Sequence, residues 1–268
     1  MFRDLVTSVR PKQWTKNLVV FAGLIFSQSL KDPYLLLRAA ASFFLFSLLS
    51  GSLYIVNDIV DLKEDREHPL KSKRPVASGR LRKGPALICA VSLALLSLSI
   101  SLLVGGRFFV VAAVYLTLSL TYSFLLKGVV ILDVLAIAFG FVLRAVAGAV
   151  AIDVEISTWL LVCTVLLALF LALSKRRHEL LLLEGSRLGL HRRTLSEYSP
   201  QLLDQMISVV TASTVMAYAL YTMAPETLIK FETRALGLTI PFVLYGIFRY
   251  LYLIHRREEG GAPEKSLL

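Results

Sequence analysis

Cysteine is nearly absent: Cys89 and Cys163 are the only two in 268 residues, both inside apolar stretches, so no disulfide framework arises. The four histidines show no metal-ligand spacing. No Ser/His/Asp arrangement or glycine-rich phosphate loop is present either, which leaves hydrolase and nucleotide-loop chemistries unsupported. Strand signals and low-complexity linkers are missing too, and the chain reads as a single all-α domain over residues 1–268. Charge is scarce, at 18% of residues against 56% apolar. With a mean hydropathy of +0.69 this lies beyond globular composition. In a soluble fold that surface would face water, so the expected class is a polytopic transmembrane helical bundle.

The apolar residues fall in blocks near the length of about 20 residues that a helix needs to cross a bilayer core. They predict about eight spans, at roughly 14–30, 34–58, 85–105, 107–126, 129–151, 157–175, 201–224 and 235–255. The first is the shortest, with Pro11 suiting a helix start. It follows Arg10, Lys12 and Lys16 without a small-residue cleavage site, which predicts a retained helix rather than a signal peptide.

The net charge of +10 would suggest nucleic acid if it formed a face on a soluble domain. Here the basic residues lie in short segments between apolar blocks, and topology is the simpler cause. Segments 1–16, 59–84, 127–128, 175–200 and 256–268 share one face and hold most of the 29 Lys and Arg. The opposite connections carry only Lys31, Arg107, Lys230 and Arg234. The positive-inside rule then puts both termini and the two long loops, about 59–84 and 175–200, in the cytosol. These loops follow spans four apart, which hints at a duplicated four-helix unit, although no residue-level repeat supports it.

The second span runs out in Tyr54, Asn57, Asp58, Asp61 and Asp65, where hydrocarbon gives way to water. On a continuing helix the three aspartates sit at i, i+3 and i+7 and share one face, with Asn57 beside them. Carboxylates stacked this closely repel unless a cation lies between them, and a hard divalent ion such as Mg²⁺ suits all-oxygen ligands. The competing reading is a solvated helix end paired with Lys63, Arg66 and Lys71, but a charge at the membrane boundary is costly without a functional reason.

Cations follow directly: Arg66, His68, Lys71, Lys73, Arg74, Arg80, Arg82 and Lys83. Acids with cations make phosphate the natural common ligand. Arg80, Arg82 and Lys83 fit a topological role better, whereas Lys71 and Arg74 lie close to the acids. The sixth span ends in Lys175, Arg176 and Glu179, within one turn of each other, with a basic stop at the membrane edge as the rival explanation. Arg192 and Tyr198 follow as candidates to close over the site. Ahead of the first span, Trp14 and its basic neighbours read as interfacial anchors, and only Lys16 and Asn17 look spare enough to serve a site. Inside the fifth span, Asp133 and Arg144 are intramembrane ionisable groups, with a structural ion pair as the alternative.

The stretch Asn57 to Asp65 resembles the aspartate motif of the UbiA-type membrane prenyltransferase superfamily. Three further stretches are similar to its decaprenyl-phosphate phosphoribosyltransferase branch: Arg10 to Asn17, Asp65 to Lys71 with Arg74-Pro75, and Lys175-Arg176 with Glu179. Arg144, Arg192, Leu195 and Tyr198 fit the same branch. The resemblance implies a UbiA-like bundle at the plasma membrane that moves phosphoribose from phosphoribosyl diphosphate to a polyprenyl (decaprenyl) phosphate for cell-wall arabinan precursors. It implies Mg²⁺ held by Asn57, Asp58, Asp61 and Asp65, with Asp58, Asp61, Lys175 and Arg176 catalytic. Lys16, Asn17, Tyr54, Asn57, Arg66, Lys71, Arg74, Arg144, Glu179, Arg192 and Tyr198 would bind substrate.

Two departures matter. Where aromatic prenyltransferases carry a second aspartate motif, this chain reads Lys-Arg-Arg-His-Glu, which favours the phosphoribosyl branch. The family also usually has a ninth helix, and the sequence stops at Leu268 just where that helix would be approached. The runner-up activity is prenyl transfer from a polyprenyl diphosphate to an aromatic or other acceptor. A transporter or lipid channel is a third reading, which explains poorly why acids and bases share one face. Membrane lipids are expected around the protein, nucleic acid is not, and a homo-oligomeric state is left open.

Overall fold

A computed structural model describes residues 2–184 and 197–256. It falls into two compact units, Met1–Ile156 and Ser157–Leu268. Among the described residues the regular secondary structure is all helical.

The first unit is built around α3 (Pro33–Val60), with Asp32 capping its start through Oδ1, which accepts from the Tyr34 and Leu35 N–H groups. Packed around it are α1 (Phe2–Val9), α5 (Lys83–Val104), α6 (Gly106–Phe124) and α7 (Leu132–Ala151). Short helices α2 (Ala22–Phe26) and α4 (Leu62–Glu67) flank it in sequence. Phe46 and Leu49 of α3 meet Phe108 and Tyr115 of α6 and Ala147 of α7 in one buried cluster. The second unit packs α8 (Thr158–Glu184), α10 (Pro225–Phe231) and α11 (Ile240–Arg256) on or beside α9 (Pro200–Met223), which Ser199 caps.

Among the described residues, seven stretches are helical, long and apolar enough to cross a membrane, from Pro33–Val60 to Ala235–His255. They match seven of the eight expected spans, and this is a multi-pass membrane protein. Large exposed apolar side chains such as Leu103 and Phe242 need lipid as their solvent.

The expected first span differs. Residues Pro11–Phe21 form a 3-10 helix that hands over to α2. A 3-10 helix rises about 2.0 Å per residue, so its 11 residues cover about 22 Å, and the five of α2 add about 7.5 Å. Sixteen residues thus reach about 30 Å, a full bilayer core, where an α-helix of that length would fall short. Close approach to α7 holds the segment: a Cβ on Gly148 would lie 1.7 Å from the Val20 carbonyl oxygen, and one on Gly23 would lie 2.9 Å from Ala149 Cα. Only glycine fits at these contacts.

The expected loop 175–200 also begins later, because α8 continues to Glu184. An Arg176–Glu179 pair at i, i+3 supports that extra length.

Candidate active site

α3 carries the aspartates out of the apolar slab. Asp61 breaks the regular helix at φ −86°, ψ 13°, yet the ladder continues, with Asp61 N–H donating to Asn57 O at 2.9 Å and Asp65 N–H to Asp61 O at 2.8 Å. Asp58, Asp61 and Asp65 therefore keep the expected common face, and all three are buried, at 1%, 5% and 2% exposure.

Cations from three separate segments close on them. Arg10 Nη2 donates to Asp58 Oδ1, and Lys127 Nζ donates to Asp61 Oδ1. Arg74 Nη1 donates to Asp58 Oδ1 at 3.2 Å and to Asp65 Oδ2 at 2.5 Å. Asn57 Nδ2 donates to Asp61 Oδ2 at 3.0 Å. Three carboxylates face three cations, and the cluster is electrically balanced. Partial burial pulls the Arg10 guanidinium below its ordinary value, while Asp58 acts in the opposite sense.

Local backbone explains how Arg10 arrives. It lies between α1 and the 3-10 segment in the left-handed conformation, φ 55° and ψ 63°, an uncommon state for a non-glycine residue. Its guanidinium sits 5.0 Å from the centre of the Tyr54 ring, which places Tyr54 at the cluster as a supporting aromatic.

The acids do not form a ready-made metal cage. Among the described residues, no three acidic, His or Cys side chains group closely enough to hold an ion by themselves. The expected ligand set of Asn57, Asp58, Asp61 and Asp65 is instead interleaved with cations. Two acceptors nonetheless suit a metal: Asp58 Oδ2 and Asn57 Oδ1 are buried and face no donor among the described residues. Their all-oxygen chemistry fits Mg²⁺, which commonly takes one or two carboxylates plus substrate phosphates.

A second polar cluster lies deeper. Ser50 precedes Asp58 by eight residues on α3, about 12 Å along the helix. There Arg144 donates through Nε to Asn17 Oδ1 (2.7 Å), through Nη1 to Gly140 O (2.8 Å) and through Nη2 to Tyr115 Oη (2.7 Å). Asn17 Nδ2 donates to Ser47 Oγ at 3.0 Å, and Ser50 Oγ donates to Asn17 Oδ1 at 3.3 Å. The Arg144 charge faces the Tyr115 and Phe141 rings at 4.8 and 5.1 Å. Asn17 and Arg144 thus engage each other and their neighbours, and they tie the 3-10 segment to α3, α6 and α7.

The remaining expectations divide. Arg66 is exposed and donates through Nε to Ala77 O at 3.2 Å, so it braces the loop. His68 Nδ1 accepts from the Leu70 and Lys71 N–H groups, folding the turn before Arg74. Lys16 and Lys71 are half-buried. In the second unit, Lys175 is exposed, and Arg176, at 4% exposure, donates to Glu179 Oε2 at 2.8 Å. Tyr198 is buried. Arg192 lies outside the described residues.

Sequence reading missed Arg10, Lys127 and Tyr115. Arg10 and Lys127 looked like topological charges, and Tyr115 was not singled out at all. The available signal was a charge balance, since three acids at a membrane boundary call for cations beyond Arg74.

The chain's residues 17–267 match the model of the UbiA prenyltransferase family. It is 36% identical over 221 residues to a decaprenyl-phosphate phosphoribosyltransferase of Corynebacterium glutamicum, covering 81% of this chain and 66% of that protein, just under two thirds. The same-named protein of Mycolicibacterium smegmatis is 34% identical over 81% of this chain and 69% of its own length. Among solved structures, a UbiA homologue from Archaeoglobus fulgidus bound to GPP and Mg²⁺ superposes with a TM-score of 0.78 at 18% identity, covering 98% of this chain and 93% of that one. At that identity the likeness speaks for the fold. With the family model spanning nearly the whole sequence, this chain belongs to the UbiA prenyltransferase family.

Proposed function

We propose that this protein transfers 5-phosphoribose from phosphoribosyl diphosphate to a polyprenyl phosphate, decaprenyl phosphate in the first instance, with release of diphosphate. The observation that carries this reading is the buried, balanced cluster of Asp58, Asp61 and Asp65 with Arg10, Arg74 and Lys127. Acids for a divalent ion and cations for phosphate oxygens stand together within one unit. The choice of ribosyl over prenyl transfer is supported by the names of the two relatives above and by Lys175 and Arg176, where aromatic prenyltransferases have acids.

In the reaction, the ribose C1–oxygen bond to diphosphate breaks, the leaving group keeping the bonding pair. A bond forms between C1 and an oxygen of the lipid phosphate. That oxygen is already anionic, so no proton need be removed, and the ribosyl centre passes through oxocarbenium-like character. Asp58, Asp61 and Asn57 are the residues that would hold Mg²⁺, with Asp65 beside them. When bound, the ion supplies neutralisation of the leaving diphosphate. Arg10, Arg74 and Lys127 orient the diphosphate by charge-assisted hydrogen bonds. Within the second unit, Lys175 and Arg176 are cations of the kind that suits phosphate oxygens. Positioning and electrostatics supply most of the rate. The basic side of the chain, which carries the aspartates, faces the cytosol at the plasma membrane.

Membranes containing the protein, given labelled phosphoribosyl diphosphate and decaprenyl phosphate, should yield a labelled lipid. Chelation should abolish the product, and Mg²⁺ should restore it. A product formed only from a polyprenyl diphosphate and an aromatic acceptor would favour the prenyl-transfer alternative.

A further inference from the structure

We infer that Arg10, Arg74 and Lys127 are internal counter-ions that compete with the divalent ion for the carboxylates, so that metal and diphosphate bind synergistically. The inference rests on the diphosphate-binding reading above.

The hydrogen-bond pattern carries it. Asp58 receives both Arg10 and Arg74 on one oxygen, Oδ1, while its Oδ2 faces no donor among the described residues. Arg74 also spans to Asp65, and Lys127 holds Asp61. The cations come from three separate places: the residue before the 3-10 segment, the loop after α4, and the connection between α6 and α7. Asp58, Asp61 and Asp65 are buried, so solvent does little to screen the cluster.

A divalent ion arriving alone would add two positive charges to a balanced pocket. It would have to displace resident cations or sit among them. Diphosphate arriving alone would bring several negative charges beside three buried acids. Together the two nearly cancel. The long Arg and Lys side chains can then exchange a carboxylate oxygen for a phosphate oxygen, one charge-assisted hydrogen bond for another. Each ligand binds better in the presence of the other, a reciprocal coupling.

The test uses the purified full chain, Mn²⁺ as the metal probe and inorganic pyrophosphate. Calorimetric titration with Mn²⁺ alone compares the native protein with Arg74→Gln, Arg10→Gln and Lys127→Met, each checked for a cooperative melt. Removing a resident cation should tighten binding of the lone ion by roughly the 5- to 150-fold typical of such couplings. In the native protein the melting shift with Mn²⁺ and pyrophosphate together should exceed the sum of the separate shifts, and the variants should lose that excess. Mn²⁺ binding no tighter in any folded variant, or additive shifts in the native protein, would overturn the inference. Binding unaffected by Asp58→Asn would overturn the metal assignment and the inference with it. No ribosyl donor or lipid enters these measurements, so failure of the phosphoribosyl reading in the labelled-lipid assay would leave them intact and is separately visible.

Discussion

Asp58 Oδ1 accepts from two half-buried guanidinium groups, and the burial of Asp58 itself makes it sensitive to substitution. Asp58→Asn should lower turnover by about 10²-fold or more while the protein stays folded, as read by the labelled-lipid assay beside a thermal melt. The same change should cost about 1–3 kcal/mol, because Arg10 and Arg74 lose a charged acceptor. Adding Arg10→Gln should recover part of that cost without recovering turnover. Arg144 calls for a different outcome. Replacing it with Met removes the donor to Asn17, Tyr115 and Gly140, and should destabilise the first unit by about 1–3 kcal/mol in a melt. The aspartates were legible in the sequence because their spacing at a membrane boundary has few bland explanations. Arg10 and Lys127 were not, because a basic residue beside an apolar span is ordinary and only tertiary contact separates an anchor from a counter-ion. Asn17 and Arg144 were found as unusual polar residues, but their mutual hydrogen bonds depend on a contact between residues 127 positions apart.

At the scale of elements, length and composition located seven helices, all but the end of α8 to within a few residues, since lipid imposes one rule on all of them. What escaped was the local geometry of the first segment and the continuation of α8. Hydropathy reports that a segment is apolar, and it does not report its rise per residue. The 3-10 segment depends on Gly148, whose missing side chain admits the Val20 carbonyl. Gly148→Ala should therefore force the backbones apart and destabilise the protein by about 3 kcal/mol or more, seen as a lower melting temperature. Because Arg10 heads this segment, the variant should also lose Mn²⁺–pyrophosphate synergy. Ala147→Gly, one position away, provides the comparison for any effect of simply altering α7.

At the scale of the molecule, the 3-10 segment decides on which side of the bilayer Arg10 lies relative to the start of α3. An α-helical ruler counts seven crossings among the described residues and makes the parity odd. By that count Arg10 and the end of α3 would lie on opposite sides, an arrangement the Arg10–Asp58 contact forbids. One more crossing, by sixteen residues that such a ruler passes over, makes the parity even. A reporter fused ahead of Phe2 and a single cysteine placed at Lys73 should accordingly answer from the same side of the membrane, and a cysteine at Lys31 from the other. Topology assignments for relatives whose first segment is equally short carry the same hazard. An error of one crossing there would invert every loop that follows and put the aspartate cluster on the wrong side of the membrane.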